Sequence, residues 1–468
     1  MRSQARSTPR WQPLIVGAVA VVASLLAEDW IAGIAVWVLW AGWRYLPSDE
    51  GPPVLALAFT FQWVQVVLGI FYYAVTRHRL EAMDFSDYRP MVLIGLGCLV
   101  ALLIGLRLGM RLLRQTRLSG ERELSVPFTW HELLLFYIVS VALTGIVQQL
   151  AWQIPVLTQG ILALSFTRLL LLFLLFRRAA QPQFRWGWIG ALLVGEVVLG
   201  FTGFFAGFRE PLMLATLVFL EAFDRRKGRH WLALSTLAAV MALSGVMWMG
   251  IRTDYRRDFV NEVFAESRAA RLERVLSLSF AWLALDLDAR ISTMDFFANR
   301  LWAVYYPALA VSRVPSVLPH ENGALLGTAV WHLLTPRLFF PEKKVLESDS
   351  EMVREYSGVW VAGADEGTSI AFGYAAESYV DFGVPLMFIP VFVYGLWLGM
   401  AYRWFVQKIQ IRELAVALVT VVFWLSLYLF ERSWIKTLGL SVTLMIYLGA
   451  AIILLDRMLL RRRRIALH

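Results

Sequence analysis

The sequence predicts an all-α, polytopic integral membrane protein with about 12 transmembrane helices and one large periplasmic loop containing short helices. Three observations predict it. The chain is 59% apolar and only 17% charged, with 20 Trp and 30 Phe, and several apolar runs reach the roughly 20 residues that a helix needs to cross a bilayer. The basic residues cluster at the ends of those runs. One long polar interval, 251–383, is acidic, with 13 Lys/Arg against 18 Asp/Glu, whereas the rest of the chain holds 31 against 17. That asymmetry is expected when basic links stay in the cytoplasm and an acidic loop lies outside.

The net charge of +9 does not point to nucleic acid, because the cations flank apolar runs, where anionic lipid and topology account for them. The single cysteine, Cys98, lies inside an apolar run, so no disulfide framework or cysteine metal site is expected.

Residues 1–250 are read as nine spans. MRSQARSTPR precedes the run Leu14 to Ala27, which looks like a signal peptide, but Glu28-Asp29 and a second apolar run follow, so an uncleaved first span turns into a second at about 30–46. Segments three (53–75) and four (91–110) are joined by TRHRLEAMDFSDYRP, which balances three arginines against three carboxylates. Arg107, Arg111, Arg114, Arg117 and Arg122 then mark the cytoplasmic side. Segments five (130–150) and six (157–176) close on Arg177-Arg178; seven (186–205), eight (211–223) and nine (231–250) follow. After the 251–383 loop, residues 384–468 supply segments at 384–405, 412–430 and 436–456 and a basic tail. Both termini are then cytoplasmic and the arginine clusters all fall on one side. Within the loop, VLSLSFAWLALDLDARI and FFANRLWAVYYPALAVSRV are too interrupted by charge to span and are expected in the membrane interface.

Four polar elements stand out. In Gly207-Phe208-Arg209-Glu210-Pro211, proline favours the first turn of a helix, whose free N–H groups beside Arg209 would suit an anion. The competing reading pairs Arg209 with Glu210 and lipid phosphates. Arg252, Arg256 and Arg257 follow segment nine. If its helix continues, Arg252 and Arg256 share a face at i, i+4, where like charges repel unless an anion sits between them or Asp254 and Asp258 neutralise them. In TPRLFFPEKK, Pro336 and Pro341 bracket Arg337 and precede Lys343-Lys344. Glu377 and Asp381 lie four apart in a segment ending at Phe382-Gly383; on a helix they share a face, one a candidate base whose pKa the other raises, or else an exposed polar stripe. Glu196 is an ionisable group near the middle of segment seven, either functional or a structural ion pair. The six histidines have no metal-ligand spacing, so no catalytic metal is expected.

The order of these features resembles the oligosaccharide repeat-unit polymerases, the O-antigen polymerase group: many spans, a Gly-x-Arg at the outer end of a central helix and a large periplasmic loop. The loop resembles theirs in Pro336, Arg337, Phe340, Pro341, Glu342 and Lys343, then in Glu377, Tyr379, Asp381, Phe382 and Gly383, although Lys344 stands where a proline is expected. The resemblance covers about 200–405; the first six spans match only in hydropathy. It implies a glycosyltransferase of the bacterial inner membrane that uses neither a nucleotide sugar nor another cofactor. Its donor would be a growing glycan on polyprenyl pyrophosphate and its acceptor a lipid-linked repeat unit, with membrane lipids, a chain-length regulator and a flippase as further partners and no nucleic acid. Glu377, Asp381, Arg209 and Arg337 would be catalytic, and Arg252, Arg256, Arg257, Glu210, Lys343 and Tyr379 would bind substrate. The nearest alternative is an O-antigen ligase, which His320-Glu321-Asn322 with Gly327 and Trp331 loosely resembles. A lipid-linked sugar flippase is the alternative from another class, although it needs no acidic loop of this size.

Overall fold

The computed structural model describes residues 12–46, 51–113, 126–154, 158–181, 187–201, 207–224, 226–260, 268–335, 339–340, 348–363 and 369–466. Among them the regular structure is helical throughout. The elements are α1 (Gln12–Ala27), α2 (Ile31–Tyr45), α3 (Val54–Thr76), α4 (Glu81–Phe85), α5 (Tyr88–Leu112), α6 (Trp130–Gln153), α7 (Thr158–Ser165), α8 (Thr167–Ala179), α9 (Gly187–Phe201), α10 (Arg209–Glu221) and α11 (Gly228–Val260). The 251–383 interval supplies α12 (Arg268–Leu283), α13 (Leu287–Leu301), α14 (Tyr305–Arg313), α15 (Ala324–Leu334), α16 (Asp349–Ser357) and α17 (Tyr374–Phe382). The chain ends with α18 (Phe388–Lys408), α19 (Arg412–Leu427), α20 (Trp434–Thr443), a π-helical turn (Leu444–Leu448) and α21 (Gly449–Ala466).

Among the described residues, seven stretches are long and apolar enough to cross a bilayer: Val54–Thr76, Tyr88–Leu112, Trp130–Val147, Thr158–Ala179, Gly228–Asp258, Phe388–Lys408 and Trp434–Arg462. The other apolar segments form helices too, but α1, α2, α9, α10 and α19 have only 13 to 16 residues, about 20–24 Å at 1.5 Å per residue. Segment six is split into α7 and α8, and segment nine is longer than its apolar run, because α11 carries on through Arg252 and Arg256.

The tightest packing joins α5 and α18, distant in sequence. They run parallel, with Gly105 and Gly109 of one against Gly395 and Gly399 of the other. A Cβ on Gly109 would stand 2.1 Å from the Leu396 carbonyl oxygen, and one on Gly399 2.2 Å from that of Leu106. Paired small residues four apart let backbones approach, the main source of helix association where lipid is as apolar as the side chains. Against α18 and α3 lies α19, buried on every face from Leu414 to Leu427, as expected of an all-apolar helix inside a bundle.

Polar contacts separate the bundle into two ends. At one end the basic links gather: Arg107 lies over the Tyr45 ring, Gln407 donates to the Leu113 carbonyl, Arg178 meets Glu413 and Arg177 meets Glu221. At the other end Asp29 takes Tyr88 and Arg89, Arg77 pairs with Glu28, and the helices of 251–383 collect.

This interval is joined to the bundle rather than looped free of it. Trp302, between α13 and α14, is buried against Gly69 and donates its indole N–H to the Val66 carbonyl at 2.8 Å. Val304, Ala308 and Ala310 are buried with it. Over 302–310, then, protein covers Trp302, Val304, Ala308 and Ala310, whereas Tyr305, Tyr306 and Leu309 stay partly exposed. By contrast α12 exposes Leu276, Phe280 and Leu283 on one face, as an interfacial helix does.

Candidate functional site

Arg209 opens α10 beside Pro211, as the proline predicts. Its guanidinium donates to Glu210 Oε1 at 3.0 Å and to the Tyr428 hydroxyl at 2.6 Å, and it lies 4.6 Å from the centre of that ring. Tyr428 belongs to a polar break between α19 and α20 that also carries Glu431 and Arg432. Arg300, from the end of α13, grips both oxygens of Glu431; Arg432 lies 5.3 Å from the Tyr428 ring and donates to the Leu425 carbonyl. Arg252 of α11 stands within Coulombic reach of Arg300 and Arg256 and over the Phe296 ring at 5.2 Å.

Four elements thus bring Arg209, Arg252, Arg300 and Arg432 together around two carboxylates, Glu210 and Glu431. The group keeps an excess of positive charge, and the Arg209 and Arg300 side chains are 38% and 52% exposed. Two buried glutamines of α3 hold the break in place. Gln62 donates to the Leu427 carbonyl and accepts from Tyr374, while Gln65 donates to the Tyr428 carbonyl and accepts from the Phe430 N–H. A break with unpaired backbone groups inside a bundle needs such partners.

The other arginines after segment nine separate by role. Arg257 pairs with Asp254 at 2.9 Å on the surface. Asp258 turns to Arg274, so the two aspartates do not neutralise Arg252, which has no carboxylate partner among the described residues. Arg256 is half-buried one turn further on.

Glu377 and Asp381 do share one face of α17, but each carboxylate is engaged at the start of another helix. Asp381, fully buried, accepts from the Leu325 and Leu326 N–H groups at 3.0 and 2.8 Å, capping α15 from a distance. Glu377 is 2% exposed and accepts from the Trp434 N–H at 2.8 Å, at the start of α20; its Oε1 has no partner among the described residues. Burial pushes Glu377 up to about 8, with Asp349 and Asp381 adding to the shift, and burial also raises Asp381 against the pull of its backbone donors. The Tyr379 hydroxyl donates to the Val314 carbonyl. His320 accepts α17 as a neighbour too: its Nδ1 lies 3.1 Å from the Val380 carbonyl, and Gly383, at φ +63°, leaves room for its ring. Both carboxylates and the Tyr379 hydroxyl thus meet backbone groups around α17, and among the described residues none of them contacts the arginine group. Glu196 is fully buried in an ion pair with Arg168 at 2.6 Å and a hydrogen bond from Tyr137, which is the structural reading of that residue. Arg337 and Lys343, with Pro336, Pro341 and Glu342, lie outside the described residues.

Arg300, Tyr428, Glu431 and Arg432 were not singled out in the sequence. The available signal was Glu431-Arg432 itself, a charged pair in a six-residue gap between two apolar segments on the same side as the polar interval.

No curated protein and no solved structure matches the chain. One family model does, over residues 87–408, a range that takes in α5, α18 and most of the arginine group but stops before Tyr428–Arg432. Because that range covers more than half of the chain, the protein belongs to the family described as "Domain of unknown function (DUF8712)".

Proposed function

We propose that the protein is a membrane glycosyltransferase of the bacterial inner membrane that polymerises polyprenyl-pyrophosphate-linked oligosaccharide repeat units on the periplasmic side. The observation that carries this reading is the arginine group formed by α10, α11, α13 and the α19–α20 break, at the end of the bundle opposite the basic links. Cations in excess, one of them at the start of α10, beside a bilayer-length bundle suit a pyrophosphate whose lipid tail stays in the membrane. Twelve crossings, with α1, α2, α9, α10 and α19 as the shorter ones, put both termini in the cytoplasm and 251–383 outside.

In the reaction, a hydroxyl of the acceptor repeat unit attacks the anomeric carbon of the donor glycan. A new glycosidic C–O bond forms, the bond from that carbon to the phosphate oxygen breaks, and polyprenyl pyrophosphate leaves with the electron pair. Arg209, Arg252 and Arg300 stabilise the leaving pyrophosphate. The hydroxyl proton passes to Glu210 or Glu431, the carboxylates inside the group, once phosphate oxygens replace them on their arginines. Glu377 and Asp381 act as positioning residues, fixing the starts of α20 and α15. Deletion of the gene tests the reading: surface glycan stopping at one repeat unit supports a polymerase. Retained long lipid-linked polymer with no surface attachment would make it a ligase, and loss of lipid-linked repeats from the outer leaflet a flippase.

A further inference from the structure

The end of the bundle that gathers the basic links contains a cleft of about 380 Å³ between the end of α18 and one face of α21. Its wall on α21 follows the helical period, Ile453, Asp456, Arg457 and Leu460, and faces Lys408 and Gln410. Asp456 is buried, and both its oxygens are occupied, by the Gln410 N–H at 3.2 Å and the Ile411 N–H at 2.8 Å. The acid in the cleft is therefore committed to holding the turn between α18 and α19. Lys408 and Arg457, both exposed, have no carboxylate partner among the described residues. The cleft thus presents two cations against one buried carboxylate whose oxygens face backbone N–H groups, an excess of one positive charge, with apolar Ile453 on the side toward the middle of the bundle and Leu460 on the other.

We infer that this cleft binds a phosphate ester between Lys408 and Arg457, a ligand site separate from the arginine group at the opposite end. Two sources share this chemistry: the headgroup of an anionic phospholipid, whose chains would run along Ile453, and a soluble phosphate. Basic clefts between spanning helices at the cytoplasmic face suit such headgroups. The volume admits one headgroup, and among the described residues Asp456, held by backbone N–H groups, bridges to neither cation.

The test uses the full-length protein in nanodiscs of phosphatidylcholine with or without phosphatidylglycerol, and lipid retained after transfer to detergent is read by native mass spectrometry. Lys408→Gln/Arg457→Gln is compared with Arg461→Gln/Arg462→Gln, which removes the same charge from exposed positions on the same helix but outside the cleft. Thermal unfolding of both variants checks that they remain folded. Phosphatidylglycerol should be retained in preference to phosphatidylcholine, and the cleft variant should bind it on the order of thirtyfold more weakly, with little change in the control. Displacement by millimolar glycerol phosphate or inorganic phosphate would identify a soluble ester as the occupant; resistance to both would identify the lipid. Equal losses in the two variants, or no preference for the anionic lipid together with no phosphate binding, would overturn the inference.

Discussion

Replacing Glu377 by glutamine separates a cap from a base. The carboxyl is 2% exposed, accepts from the Trp434 N–H and is pushed up to about 8 by burial, so near neutral pH it is held as the protonated acid. Glutamine has the same shape as that acid and keeps an oxygen for the Trp434 N–H. Glu377→Gln should therefore change stability little at pH 6, whereas Glu377→Ala should cost on the order of 3 kcal/mol through the lost acceptor and the cavity. The pH dependence has a definite sign. The folded-state pKa is raised, so the folded protein holds a proton that the unfolded chain releases. The contribution is fully present below the ordinary value of 4.5 and is lost as pH rises through about 8, on the order of 5 kcal/mol over that window. Thermal unfolding of purified protein across pH 5 to about 8.5 should show a decline in the native protein that Glu377→Gln abolishes. If Glu377→Gln instead keeps stability and its pH profile unchanged yet abolishes glycan polymerisation, the residue is the base and its role as a positioning residue is refuted.

Three further predictions rest on packing and topology. Gly399→Leu should prevent recovery of folded protein, because its Cβ would meet the Leu106 carbonyl in a contact that cannot open without parting α5 from α18; Gly190→Ala, with open space around it, should be recovered like the native chain in size-exclusion profiles. Trp302→Ala should destabilise by about 3–5 kcal/mol in denaturant unfolding and increase protease cleavage within 251–383, since this side chain fastens the interval to α3. In a Cys98→Ala background, Val317→Cys should label with an impermeant maleimide in intact cells and Arg226→Cys only after permeabilisation; the reverse pattern would invert the orientation.

The fold class could be read from the sequence because it depends on composition and local periodicity, and among the described residues each apolar run from Leu14 to the last contributes helix. Crossing length was less legible, since it depends on where a helix stops: α11 runs on past Met249 into charged residues, while α10 ends after 13 residues. The α5–α18 contact left a visible trace in the spacing of Gly105, Gly109, Gly395 and Gly399, but which glycines face each other is set by the third dimension. The same holds for the site. The i, i+4 relation of Glu377 and Asp381 is local and was legible; the Trp434 and Leu325 N–H groups that they meet lie 57 and 56 residues away. Arg209 stood out because Pro211 marks a helix start. Arg300 did not, because only its meeting with Glu431, 131 residues on, gives it a role.

Whether the arginine group holds the pyrophosphate of a lipid-linked glycan for transfer is read from purified protein supplied with a synthetic polyprenyl-pyrophosphate repeat unit. The native protein should extend that unit into polymer resolved by gel electrophoresis. Arg209→Ala and Arg300→Ala should each lower the yield at matched protein level, and the corresponding lysine variants should rescue poorly, because lysine supplies the charge without the paired donors that match phosphate oxygens. Undiminished polymer and unchanged binding of a polyprenyl pyrophosphate analogue in both alanine variants would remove the arginine group from the reaction, and no transfer by the native protein would rule out a polymerase.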